Sequence, residues 1–200
     1  IKVRVRAVSS SGATGEWVYS DAFALNNNTP PWMTIDGVIP NTTSSPTASD
    51  EAVEIRWTAY DDDSEDANAN GELDLRDLED RNGNGVLDPE LVAVAFDYWA
   101  VPDGLDPSTL TPEDLEDPAK VQWSACTRAE GVGDPSDGMP SAPIQGVANQ
   151  HVFAWDSVTD VGTVHQRFIL RATPFDEKRE SGPTVYFTQG FLLDNWKVFN

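Results

Sequence analysis

The sequence predicts an all-β protein, an antiparallel β-sandwich that carries one acidic insertion, and three observations support this prediction. Short segments alternate apolar and polar residues, which is the period of a strand with one buried face. No segment of ten or more residues shows a convincing 3.6-residue period. A hairpin pattern of two such segments occurs twice, once near each end of the chain. Short strands without long helices are typical of a sandwich.

The repeated hairpin links residues 1–27 to residues 166–195. Its aligned pairs are Val3, Val5 and Ala7 with Phe168, Leu170 and Ala172, then Val18-Tyr19 with Val185-Tyr186, and Phe23, Leu25 and Asn27 with Phe191, Leu193 and Asn195. The plainer alternative is that any two amphipathic hairpins look alike. We interpret the repeat as one module type that occurs twice.

This interpretation divides the chain. Residues 1–28 are expected to be the C-terminal hairpin of a preceding or incomplete module, 29–31 a stiff proline-containing linker, 32–195 a complete module and 196–200 a tail. Two strands alone bury too little to be stable in water. We therefore expect strands of the same polypeptide, or of an identical subunit in a fibre, to complete the first hairpin.

The expected strands of the complete module follow in order. Their inward residues are Val53, Ile55, Trp57 and Ala59; Val92, Val94, Phe96 and Tyr98; Val121, Trp123 and Ala125; and a fourth set from His151 to Trp155, before the final hairpin. A single helical turn is expected at Thr111-Pro112-Glu113-Asp114, which has a capping residue, a proline at the first helical position and early acids.

Four segments carry a family resemblance: VEIRWTAYDDD at 53–63, FAWDSVTDVG at 153–162, RFILRATPFDE at 167–177 and GFLLDN at 190–195. They resemble the immunoglobulin-like and fibronectin-type-III-like repeats of large bacterial surface proteins. The resemblance implies a sandwich fold. It implies little about function, because such sandwiches have many unrelated roles.

The charge balance excludes several classes of function. The 200 residues include 34 acidic and 13 basic side chains, which gives a formal net charge of −21. A nucleic-acid binder needs a lysine- and arginine-rich surface that this chain lacks, and anionic membrane surfaces would repel it. No apolar run approaches the roughly 18 residues needed to span a bilayer. The single cysteine, Cys126, rules out an internal disulfide.

An acidic insert from Asp61 to Leu91 separates the strand of Val53 to Ala59 from the strand of Val92 to Tyr98, and its centre has the spacing of a calcium loop. The sequence DANANGELDLRD places oxygen ligands at alternate positions, namely Asp66, Asn68, Asn70, the Glu72 carbonyl, Asp74 and Asp77. Gly71 permits the sharp turn between the two halves of the site. The spacing resembles an EF-hand loop in its dockerin-like form, but we identify no paired helices and do not carry over cohesin binding.

The pattern half repeats fourteen residues later as DRNGNGVLDPEL. Its candidate ligands are Asp80, Asn82, Asn84, the Val86 carbonyl, Asp88 and Glu90, with Leu91 unable to ligate at the twelfth position. Glu90 or a carboxylate of Asp61-Asp62-Asp63 is expected to complete this second site. The alternative for both loops is a solvated acidic segment. It is disfavoured because glycine and asparagine occupy ligand-compatible positions and because crowded carboxylates repel without a cation. Magnesium is disfavoured because it demands a tight octahedron.

The sequence contains no convincing catalytic motif, so we expect no catalytic residues. No G-x-S-x-G motif is present, and His151 and His165 are interpreted as ordinary residues at strand edges. Trp99, with Tyr60 also on an outward face, is the best candidate for a sugar contact.

The leading hypothesis is an extracellular, non-catalytic, calcium-stabilised module of a surface protein or filament. The alternative is a carbohydrate-binding or spacer module of a secreted hydrolase, whose partner is a polysaccharide.

Overall fold

The computed structural model describes residues 2–21, 29–39, 52–61, 85–86, 88, 90–142 and 149–194. These residues form ten strands and three short helical turns, and the strand pairing is antiparallel throughout the named strands. The predicted all-β, antiparallel character is confirmed. The strands are β1 (Arg4–Val5), β2 (Val18–Tyr19), β3 (Trp32–Ile39), β4 (Ala52–Tyr60), β5 (Leu91–Ala100), β6 (Ser124–Ala125), β7 (Met139–Pro140), β8 (Gln150–Asp156), β9 (His165–Asp176) and β10 (Val185–Asp194).

Strands β3 to β10 form two sheets. One sheet has the order β3-β4-β8. The other has the order β10-β9-β5, and β6 and β7 pair with different parts of β5 on its remaining edge. Sequential strands β4 and β5 lie in different sheets, so the chain crosses from one sheet to the other between them.

Aromatic side chains join the two sheets in one core. The rings of Phe96 and Phe153 stack with their centroids 4.5 Å apart, and those of Tyr98 and Trp155 stack at 4.7 Å. The Trp155 and Phe168 rings also pack in a T-shaped arrangement, with their centroids 5.8 Å apart. Such aromatic pairs stabilise the fold by more than the burial of their apolar area alone. The predicted inward residues of the β4 and β5 strands are buried here or, for Tyr98, packed against this core.

A second cluster covers the outer face of the β5–β9 sheet. It contains Trp99, Val101, Leu115, Val121 and Ile169, and Leu110, Trp123 and Tyr186 pack against it. The connection between β5 and β6 supplies most of these residues. It includes a 3₁₀ turn (Pro107–Thr109) and a short helix, α1 (Pro112–Glu116). The predicted helical turn is confirmed, since the Thr111 hydroxyl and the Asp114 carboxylate form a capping box.

The prediction for the third strand is wrong, because the strand is shorter than predicted and Trp123 does not point into the main core. Only Ser124 and Ala125 form a strand, Trp123 packs in the outer cluster, and Cys126 packs against the main core. The physical reason is a change of sheet. The Cys126 amide still donates to the Phe96 carbonyl of β5, but the Asp156 amide already donates to the Thr127 carbonyl from β8 in the other sheet.

A helix that the sequence did not predict, α2 (Ser157–Val161), follows β8. The Asp156 side chain caps it, and the Asp160 carboxylate accepts hydrogen bonds from the Trp155 indole at 2.6 Å and from the Thr127 amide at 2.7 Å. One carboxylate thus ties the buried tryptophan to the segment that changes sheets.

The first hairpin is built from β1 and β2, with Val5 opposite Val18 and Arg4 opposite Tyr19. Within the described residues these two strands pair with each other and with no other named strand. Val5 and Val18 are 60% and 65% exposed. The Arg4 and Arg6 guanidinium groups lie 4.4 and 4.6 Å from the Trp17 ring centroid, so the other face of the hairpin carries cation–π contacts.

Candidate calcium site at the base of the acidic insert

The insert crosses between the sheets at one end of the sandwich. Strand β4 ends at Tyr60 and β5 begins at Leu91, so residues 61–90 connect the central strands of the two sheets. The insert bounds predicted from the sequence therefore fall within one residue of the strand ends.

A strap formed by residues 139–142 holds both ends of the insert. The Asp61 amide donates to the Ala142 carbonyl at 3.0 Å, and the Ala142 amide donates to the Ala59 carbonyl at 2.9 Å. At the other end, the Ser141 amide and hydroxyl both donate to the Glu90 carbonyl at 2.9 Å. Since Ser141 and Ala142 are consecutive, the two ends of the insert meet on neighbouring residues of one segment.

The strap is in turn anchored to the core by β8. The Asn149 amide and a ring nitrogen of His151, Nε2, contact the Pro140 carbonyl at 2.5 and 2.9 Å. A carbonyl only accepts hydrogen bonds, so Nε2 carries the proton. The buried imidazole packs 4.6 Å from the Trp57 ring. His151 does lie on an edge strand, β8, but it is buried and has a structural partner, so it is a core residue and not an ordinary edge residue.

Most of the predicted calcium ligands lie outside the described residues. They are Asp66, Asn68, Asn70, Glu72, Asp74, Asp77, Asp80, Asn82 and Asn84. Of the second loop, Val86, Asp88 and Glu90 are described, and Val86 is exposed. Gly85 at the sixth position has a φ of +75°, in the left-handed region that glycine adopts without strain. Asp61, the first acidic residue of the insert, is buried.

The described acidic residues do not assemble a metal site by themselves. No three histidine, cysteine, aspartate or glutamate side chains among them converge in a way that could hold a metal ion. An open pocket of about 230 Å³ lies beside the start of β5, and Asp137, Asp176 and Glu177 contribute to its lining. The buried Asp176 carboxylate accepts a hydrogen bond from the Glu180 amide at 2.8 Å, so it holds the β9–β10 turn.

The other singled-out residues have structural environments. Trp99 faces outward as expected, but the connection between β5 and β6 covers it and leaves it 9% exposed. It therefore cannot serve as the sugar contact that the sequence suggested. Burial raises the pKa of the Cys126 thiol well above its usual range, which opposes a nucleophilic role. His165 is exposed, with its Nδ1 atom 3.3 Å from the Asp194 carboxylate.

The comparisons with known proteins add no assignment. No family model, no curated protein and no solved structure matches this chain. Among the described residues, the helices are too short and too polar to cross a membrane.

Proposed function

We propose that this chain is a non-catalytic structural module of an extracellular surface protein or filament, and that calcium in the 61–90 insert stabilises it. The clamped base of the insert carries the proposal, because the 139–142 strap joins both insert ends to the core through Ala59 and Pro140. A cation that draws the carboxylates of the insert together therefore acts on a segment whose two ends are already fixed. Ordering a loop with fixed ends loses less chain entropy than ordering a free segment.

Two further observations support the calcium loops. The left-handed Gly85 has the backbone conformation that the turn at the sixth position of such a loop needs. The insert carries twelve acidic and two basic side chains, so a divalent cation relieves repulsion that water and salt only screen. In the proposed sites, Asp66, Asn68, Asn70, Asp74 and Asp77 supply side-chain oxygens to the first ion.

The strand order supports the immunoglobulin-like part of the proposal. In an immunoglobulin constant-type sandwich the first, second and fifth strands are adjacent in one sheet, and the third, sixth and seventh are adjacent in the other. The orders β3-β4-β8 and β5-β9-β10 follow this arrangement when β6 and β7 are taken as short edge strands.

Assembly through the β1–β2 hairpin is the second part of the proposal. In the similar β9–β10 hairpin, Phe168, Leu170 and Leu193 are buried against the β3-β4-β8 sheet. We infer that a comparable three-stranded sheet, from a neighbouring module or an identical subunit, covers Val5 and Val18. Sedimentation of residues 1–200 against a variant that lacks residues 1–28 tests this. Head-to-tail oligomers that disappear on deletion are expected from completion by an identical subunit, and a monomer at all concentrations contradicts that form of assembly.

Thermal melting in calcium and in chelator tests the stabilising role. Extracellular calcium modules bind at about 10⁻⁴–10⁻³ M. At a tenfold excess over the dissociation constant each ion adds about 1.4 kcal/mol, which raises the melting temperature by roughly 3–6 °C for a chain of this size. Magnesium at the same concentration should give a smaller shift.

Matched variants separate site binding from charge reduction. Asp66→Ala and Asp74→Ala should remove the response of the first site, and Glu90→Ala should affect only the second. Asp103→Ala removes one acidic charge in the connection after β5, beyond the end of the strand opposite Leu91, and should keep the full calcium response. A melting temperature that is unchanged by calcium and chelator in the unmodified chain contradicts the proposed stabilisation.

A further inference from the structure

The outer face of the β3-β4-β8 sheet displays an aromatic pair, an exposed tryptophan and a half-buried tyrosine. Trp32 opens β3 directly opposite Tyr60 at the end of β4, and the Trp32 side chain is 57% exposed. Their neighbours Met33 and Ala59 are buried in the core, so Trp32 and Tyr60 lie on the outer face. Residues directly opposite on paired strands have Cβ atoms about 4.5–5.5 Å apart. The two aromatic residues are therefore direct cross-strand neighbours on this face.

A polar row lies beside this aromatic pair on the same face. Two residues along, Thr34, Thr58 and Gln150 are directly opposite one another across the three strands. All three side chains donate to the carboxylate of Asp36, the Thr34 hydroxyl at 2.7 Å, the Thr58 hydroxyl at 2.6 Å and the Gln150 amide at 3.3 Å. The exposed Asp36 side chain is therefore held in one orientation.

The Asp36 carboxylate keeps the capacity to bind a ligand. An ionised carboxylate offers about four lone-pair positions, and the three described donors use three of them. A ligand hydroxyl that donates to the fourth would complete the set. Because the orientation of the carboxylate is already fixed, binding costs little further side-chain entropy.

We propose that this outer face binds a neutral polysaccharide, with one pyranose ring against Trp32 and Tyr60 and a hydroxyl of a sugar unit further along the same polysaccharide donating to Asp36. The C–H faces of a pyranose ring are apolar and weakly positive, so they pack on the negative face of an aromatic ring. From Trp32 to Asp36 the strand rises about 13 Å, which is long enough for a short oligosaccharide. The face thus combines aromatic surface with a few oriented polar groups, which is the combination that fixes the orientation of small-molecule ligands.

The charge of the molecule selects the class of sugar. The aromatic pair lies next to the acidic insert, which starts at Asp61, and the chain has a net charge of −21. Uronic acids and sulfated glycans would be repelled by this field. The ligand class is therefore the uncharged polysaccharides.

This inference goes beyond the structural role proposed above and does not depend on calcium. It also replaces the buried Trp99 with Trp32 as the aromatic contact. Its failure and the failure of calcium stabilisation are distinguishable, because binding of sugar is measured in chelator as well as in calcium.

Affinity electrophoresis of the full chain tests the inference. Native gels that contain xylan, mixed-linkage β-glucan, galactomannan or dextran are compared with gels that contain alginate, and tryptophan fluorescence measures the dissociation constant of any hit. We expect retardation by at least one neutral polysaccharide and none by alginate. Trp32→Ala and Asp36→Ala should each weaken binding by roughly tenfold or more.

Trp17→Ala is the matched control, since Trp17 is the exposed tryptophan of the β1–β2 hairpin and should leave the affinity unchanged. Melting curves of each variant establish that it is folded. No retardation by any of the four neutral polysaccharides overturns the proposal. Retardation by alginate alone, or binding that survives both Trp32→Ala and Asp36→Ala, also overturns it.

Discussion

Replacing Asp160 with alanine should destabilise the sandwich by about 3 kcal/mol. The change removes the one carboxylate oxygen that accepts hydrogen bonds from both the Trp155 indole and the Thr127 amide. The Trp155 indole is fully buried, so its stranded N–H costs about 2–3 kcal/mol, as expected for a lost bond to a charged group. Thr127 is exposed, so water can replace its lost bond at a cost of less than about 1 kcal/mol. For a chain of this size, 3 kcal/mol lowers the melting temperature by roughly 6–12 °C.

Urea denaturation followed by tryptophan fluorescence, with calcium held constant, measures this loss. Asp156→Ala is the matched control, because it removes the cap of the same helix and an exposed bond from the Thr159 hydroxyl but strands no buried donor, and it should cost about 1 kcal/mol. Asp160→Asn retains an acceptor oxygen and should fall between the unmodified chain and Asp160→Ala. A loss for Asp160→Ala no greater than that for Asp156→Ala would refute the reasoning, since the buried indole would then not depend on this carboxylate.

Three further predictions concern other parts of the fold. Gly182→Ala should destabilise the chain by about 1–3 kcal/mol in the same denaturation assay, because a Cβ there would lie 1.6 Å from the Pro31 carbonyl oxygen. Gly37→Ala is the control, because a Cβ at that position meets nothing within 4 Å. Equal losses of stability for the two variants would contradict the packing of Pro31 on the β9–β10 turn. Arg179→Gly should raise stability by about 1 kcal/mol, since Arg179 has a φ of +66°, and a lower melting temperature would show that its side chain outweighs the backbone strain. Cys126 should react slowly with a thiol reagent at pH 8 in the native chain and fast in urea, because burial raises the pKa of its thiol; equal rates would contradict that burial.

Alternation along the sequence was enough to predict the long strands except β3. No strand was predicted over Trp32–Ile39, because the register of β3 shifts between Ile35 and Gly37 and interrupts the two-residue period. Val53, Ile55 and Trp57 lie on one side of β4 and are buried, since a strand with one buried face must place every second side chain in the core. The α1 turn was predictable for a different reason. Its Thr111 cap and Pro112 act within four residues, so the signal is local.

Alternation could not predict what covers the outer face of a sheet. Trp99 lies on the outer face of β5, as the alternation of the sequence predicts, but the connection after β5 folds over it. Similarly, Trp123 and Cys126 belong to a segment that changes sheets, so no single period describes it. The helix α2 spans five residues, which is too short for a 3.6-residue period to be detected.

The base of the candidate site depends on contacts between distant residues. Ser141 meets the Glu90 carbonyl across 51 positions, and His151 meets Pro140 beside them. No rule of sequence spacing predicts that a serine in one loop contacts the end of a different loop. The ligand pattern of the insert is the opposite case, because a calcium loop takes its ligands from alternate residues of one short segment. The calcium-ligand pattern could therefore be predicted from local sequence, and it stays a prediction.

Amide hydrogen exchange with and without calcium tests the central claim most directly. The account predicts that millimolar calcium slows exchange within residues 61–90, that chelator reverses the effect, and that Asp66→Ala and Asp74→Ala remove it from the first loop. Strands β4, β8 and β9 should exchange slowly in both conditions, because their backbone bonds belong to the core ladders. Exchange within residues 61–90 that is identical in calcium and in chelator would contradict the account.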